Sequence, residues 1–170
     1  MNFKLKSISK AGIPEAISKA ELYRNLNEPG EAESICRDVL AVEPDNQDAL
    51  RLLGLAITDR FAGGAADRHA EAESIFQQLR DPYKRLYYTG IVHERRAKSL
   101  LHAGALPHTV VVLFEEAMTC FEHAEKIRPA GNDDAILRWN RCARLLEQHA
   151  PDAREEAEVL EPSDSPPYLP

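Results

Sequence analysis

The sequence predicts an all-α fold in which antiparallel helical hairpins stack side by side. Three observations predict it. A small residue, a larger apolar one and a proline recur in the same order, as Ala32, Cys36 and Pro44, then Ala72, Phe76 and Pro82, then Ala117, Phe121 and Pro129. The first and last copies share their internal spacing, and the middle copy has a shortened exit. Between these marks apolar residues return at i, i+3, i+4 and i+7, the period of a helix with one buried face. Turn-forming Pro-Gly, Gly-Gly and Gly-x-x-Pro stretches punctuate the periodic segments. One hairpin cannot bury its own apolar face, so such units stack, and stacking leaves a long concave surface.

The elements follow in order. Residues 1–12 are a basic N-terminal arm without the apolar run of a secretory leader. A first helix is expected from Pro14 to about Asn27, with Ala16, Ile17, Ala20 and Tyr23 on one face, broken by Pro29-Gly30. Its return arm runs from Glu31 to Val42 on the stripe Ala32, Ile35, Cys36, Val39 and Leu40, and Pro44 ends it, leaving Asp45 to cap the next helix. The helix from about Asn46 to Asp59 is apolar around most of its circumference, which suits a helix sandwiched between neighbours. Phe61-Ala62-Gly63-Gly64 reads as a turn, followed by an arm with Ala72, Ile75, Phe76 and Leu79 on its buried side.

Asp81-Pro82 is a helix start, because aspartate accepts from the free amides and proline loses nothing in the first turn. The helix should reach about Ala103, stop at Gly104, and be followed from Pro107 by a partner with the stripe Val110, Leu113, Phe114, Ala117, Phe121 and Ala124. Asn132-Asp133 caps a seventh helix to about His149, which closes the stack over residues 13–149. Residues 150–170 are expected as an acidic, proline-rich, largely disordered tail with a short helix after Pro151.

Charge and cysteines narrow the function classes. With 28 acidic against 21 basic residues the net charge is −7, which disfavours a nucleic-acid backbone or an anionic membrane as the main partner. Cys36, Cys120 and Cys142 are an odd number and each lies on an apolar-periodic helix, so they read as buried hydrophobes in a reducing compartment, the cytoplasm.

At these residues the chain resembles the tetratricopeptide repeat family. Tyr23, Gly30, Ala32 and Pro44 carry the likeness in the first hairpin, Leu50, Leu53, Gly54, Ala72 and Phe76 in the second, and Leu86, Gly90, Ala117, Phe121, Ala124 and Pro129 in the third. The marker alanines stand 40 and 45 residues apart, against roughly 34 in the standard repeat, a range that overlaps HEAT and armadillo units and leaves another helical array as the alternative.

The resemblance implies a right-handed solenoid of three repeats plus a closing helix, and a non-catalytic adaptor that holds a peptide or protein segment in its groove. First helices of each pair line that groove in the family, which implicates Arg51, Leu55, Tyr87, Tyr88, Ile91, Arg95, Asn140 and Arg141. Arginine and aromatic side chains are common binding anchors, and the arginines would favour an acidic segment. The family's carboxylate-gripping positions hold Ile17, Glu21 and Leu52 here, so no chaperone tail is expected. Self-association as a homodimer through the ends of the stack is the alternative.

No catalytic, cofactor or metal site is expected. His93-Glu94 is the most reactive-looking pair, yet successive helical residues point about 100° apart and do not face each other. His102 and His108 flank a turn without a third ligand. Gly63-Gly64 lacks the lysine and hydroxyl of a phosphate loop. Arg138, Arg141 and Arg144 form a basic stripe over which the acidic tail, Glu155, Glu156, Glu158 and Glu161, would fold back if opposite charge governed it.

Overall fold

The computed structural model describes residues 3–61 and 68–160. Among them the chain is all-helical, in seven helices and a short 3-10 turn: α1 (Ile13–Asn25), α2 (Pro29–Val42), α3 (Gln47–Asp59), α4 (His69–Gln77), α5 (Pro82–His102), α6 (Pro107–Lys126) and α7 (Asp134–Leu160). The turn expected at Ala62-Gly63-Gly64 and the last residues of the expected tail, 161–170, lie outside the described residues.

Local chemistry sets most boundaries where the sequence suggests. Asp81 accepts from the amides of Tyr83 and Lys84, with Pro82 in the first turn of α5. Gly104 takes φ +74° after α5, a conformation that side chains with a Cβ resist.

Three boundaries differ from expectation. Pro29 and Gly30 do not break a helix but begin α2, and the chain turns instead at Asn27, whose φ of 60° is left-handed. Proline suits a first helical turn, and asparagine tolerates the left-handed region. The cap of α3 is Asn46, which accepts from the amide of Ala49, while Asp45 pairs with Arg80. The last helix does not end near His149 but continues through Pro151 to Leu160. Proline there forfeits one amide bond, and the alanines, glutamates and leucine that follow are good helix formers.

Each helix packs on the next in sequence, and α3 also touches α1 and α5. The helices α1, α3 and α5 therefore lie side by side. One core cluster runs from Ala20 through Phe76 and Phe121 to Leu145, with a smaller cluster around Ile13, Val39 and Ala49 at the first end. Two contacts explain the recurring sequence marks. A methyl placed on Gly54 would lie 2.5 Å from the ring of Phe76, and one on Gly90 would lie 2.6 Å from the ring of Phe121. In the second and third hairpins the outgoing helix thus contributes a bare backbone and the return helix fills the space with a phenyl ring. Gly30 has open space around it and makes no such contact. Ala20, fully buried like Cys36, is the small residue of the first outgoing helix, and the smaller thiol replaces the ring.

Candidate functional site

Side chains that cross between the odd-numbered helices build the candidate site. Asp59, at the end of α3, accepts from Arg24 of α1 at 2.7 Å and pairs with Arg95 of α5. Arg95 also donates to the Thr58 hydroxyl and, at 3.2 Å, to the Leu55 carbonyl oxygen. Burial pushes the Arg95 guanidinium below its usual range; Asp59 opposes this, and the nearby Arg24 and Arg138 add to it. Next to Arg95 in the chain and about 100° around the helix from it, Glu94 is fully buried and holds Lys98 and, at 3.4 Å, Arg138 of α7. Arg51 of α3 reaches Glu21 of α1 at 3.7 Å and Asp48 at 3.9 Å.

The aromatic residues of α5 join the hairpins. Tyr88 stacks on Phe76 with centroids 4.9 Å apart and meets Tyr87 edge-on at 5.2 Å, while Tyr87 stacks on Tyr83 and tilts against Phe121 at 5.9 Å. Such pairs contribute roughly 0.5–1.5 kcal/mol beyond their burial. Burial raises the Tyr88 hydroxyl above its ordinary range, and Arg51 beside it partly offsets the rise.

The eight sequence-predicted groove residues therefore divide. Arg51, Tyr87, Tyr88 and Arg95 come together across α3 and α5 and are half-buried. Leu55 and Ile91 lie within the core, at 9% and 1% exposure, and offer almost no surface. Neighbouring helices cover α3 and α5 more fully than a one-sided helix pattern implies. Asn140 is half-buried and Arg141 exposed on α7, apart from the aromatic run. The arginines of α7 do not form one stripe, because Arg138 turns inward to Glu94 while Arg141 and Arg144 stay exposed. Folding of residues 151–160 back over them is not seen, since those residues continue the same helix.

Sequence reasoning missed Arg24, Thr58, Asp59 and Lys98, and weighed Glu94 only as a neighbour of His93. Asp59 stands at a helix end, where an acid reads as solvated, and a buried glutamate in mid-helix has no periodic signature. Only an acid at an otherwise core-facing position of α5 was there to be noticed.

The reactive-looking run 93–96 is dispersed as helix geometry requires. His93 faces Glu73 of α4 at 3.6 Å through Nε2 and Glu116 of α6 at 3.3 Å through Nδ1, and that Nδ1 is buried without a hydrogen bond. Glu94 points to Lys98 and Arg138, away from His93. No group of three or more metal-ligating side chains converges among the described residues. The thiols of Cys36 and Cys142 are pushed up to about 12 by burial. Among the described residues no helix is long and apolar enough to cross a membrane.

Glu33 of α2 anchors a second ion cluster. It accepts from Arg68 at 2.7 Å, Arg37 at 2.8 Å and Arg60 at 3.1 Å, and Arg37 continues to Glu71 of α4. The hydrogen bond from Arg68 is the main reason its carboxyl lies at about 2. This cluster locks the first hairpin to the second. Comparison of the chain with protein-family models, with curated proteins and with solved structures finds no match.

Proposed function

We propose that the chain is a tetratricopeptide-like solenoid of three hairpins and a closing helix, acting as a non-catalytic adaptor that holds a peptide or protein segment along its odd-helix face. The observation that carries this reading is the repeated glycine-under-phenylalanine contact in the second and third hairpins, on outgoing helices that lie side by side. An array built that way exposes one face of its first helices as a continuous surface. Arg51, Tyr87, Tyr88 and Arg95 supply its centre, and Asn140 and Arg141 its far end. The three free cysteines suit a reducing compartment such as the cytoplasm.

Affinity purification with Arg51→Ala and Arg141→Ala proteins tests the reading, because Arg51 is partly exposed and Arg141 exposed, and neither belongs to the buried core. Loss of the same partners from both variants is expected. Retention of every partner by both removes the groove.

A second reading, self-association, is favoured by Leu22 of α1 and Leu26 just after it, which are 54% and 58% exposed. Light scattering separates the two, since a monomer at high concentration rejects it.

A further inference from the structure

Between the C-terminal ends of α3 and α5 lies a cavity of about 250 Å³, lined by Thr58, Asp59, Phe61, Arg95, Lys98 and Ser99, with His102 at its edge. Asp59 and His102 are exposed, so the cavity opens to solvent. Among the described residues, the ion network that borders it does not balance. Arg24, Arg95, Lys98 and Arg138 share two carboxylates, Asp59 and Glu94. Two positive charges are thus left without a carboxylate of their own, in a chain whose net charge is −7.

Donors remain on the cavity side. Among the described residues, the hydrogen bonds of Arg95 to Leu55, Thr58 and Asp59 all leave from Nη1, so Nη2 and Nε keep their protons for another acceptor. Lys98 uses one of its three N–H groups on Glu94. His102 has Nδ1 against the Lys98 carbonyl oxygen, which leaves Nε2 as the ring nitrogen for a ligand, a donor to an anion in the doubly protonated ring. The hydroxyls of Thr58 and Ser99 both donate to backbone oxygens, and that of Thr58 accepts from Arg95. The carbonyl and hydroxyl partners fix the guanidinium in place, and a fixed fork with spare N–H groups suits two oxygens of one anion.

We propose that this cavity is an oxyanion subsite, in which Arg95, Lys98 and His102 bind the anionic side chain, a carboxylate or a phosphate, of the segment held on the odd-helix face. The anion adds the negative charge that Asp59 and Glu94 leave wanting. The proposal rests on the adaptor reading for the source of the anion, but the subsite is testable on the protein alone.

The probes are inorganic phosphate and acetate, titrated at pH 7 into the full chain with chloride holding ionic strength constant, and followed by NMR of backbone amides and arginine Nε–H groups. Saturable shifts confined to Thr58, Phe61, Arg95, Ser99 and His102 are expected. Lys98→Met and His102→Ala should each weaken binding about fivefold or more, and Asp59→Asn should tighten it by about threefold, because it removes a competing carboxylate. A purely structural role for these residues predicts no tightening. His102 is exposed, so its variant keeps the fold even if the others do not. Phosphate bound much more tightly than acetate assigns a phosphorylated side chain, and comparable binding assigns a carboxylate. Shifts scattered over surface lysines, or unchanged binding in both weakening variants, would overturn the subsite. Failure of the partner purification with phosphate binding intact would remove the adaptor reading alone.

Discussion

Gly54 lies so close beneath Phe76 that a single methyl on its Cα would come within 2.5 Å of the ring. Ring and helix backbone share the space a side chain would need. Gly54→Ala should therefore destabilise the protein by about 1–3 kcal/mol, even though alanine is the better helix former by about 1 kcal/mol. Gly90→Ala, beneath Phe121 at 2.6 Å, should behave alike. Denaturant midpoints measure both, and pairing Gly54→Ala with Phe76→Leu should recover part of the loss. A neutral or stabilising Gly54→Ala would show that the ring moves aside freely.

That contact also shows how far the sequence could be read. Seven helices and their buried stripes were legible because each stripe repeats at 3.6 residues and each boundary carries its own turn chemistry, as Asp81-Pro82 does. That no glycine sits under a ring in the first unit was not legible. Gly30 satisfied the pattern by residue type but occupies the first turn of α2, and only packing distinguishes it from Gly54. The candidate site was legible in part. Tyr87, Tyr88 and Arg95 follow from the family resemblance on α5, whereas Leu55 and Ile91 are buried in the core by packing between helices, which a single-helix pattern cannot register. The ion pairs between α3, α5 and α7 depend on the distance between helices, and no spacing encodes that.

Acid should unfasten the first hairpin from the second. The Glu33 carboxyl sits at about 2 rather than 4.5, through hydrogen bonds from Arg68 and Arg37 that outweigh its burial, and Glu71 is lowered by the same two arginines. A carboxyl depressed by folding contributes stability that is complete above its unfolded value and lost as pH falls through the folded one. The wild-type advantage over Glu33→Gln should be about 2–3 kcal/mol at pH 7, shrink below pH 4.5 and vanish near pH 2. Urea unfolding of both proteins at pH 7, 4 and 2.5 checks this. A gap independent of pH would mean that the carboxylate's charge is not what the arginines hold.

The thiols should differ in reactivity by exposure. Cys36 and Cys142 are fully buried, while Cys120 is partly exposed and raised by burial first and then by Glu116 and Glu73. The thiolate is the reactive form, so alkylation of the native protein at pH 8 should be slow at all three and at least about tenfold faster at Cys120 than at the others. Mass spectrometry of tryptic peptides reads each site. Rapid labelling of Cys142 would reveal that α7 leaves the core readily.

Arg138 governs how firmly α7 is held. It is the α7 residue that reaches the fully buried Glu94, at 3.4 Å to both carboxylate oxygens, and its partner there is otherwise Lys98 of the same helix as the acid. Arg138→Met removes the cross-helix bond but keeps the methylene stem that packs beneath it. Glu94 then keeps one cation in place of two, at a cost of about 1–3 kcal/mol. Because α7 packs chiefly on α6, the loss should appear locally. Backbone amides of residues 134–149 should exchange with solvent about tenfold faster or more, while α1 to α3 remain protected as before. Lys98→Met breaks only a bond within α5 and should accelerate exchange in α7 far less. Equal acceleration in every helix would instead mean that the stack unfolds as one unit and that Glu94 serves the whole array.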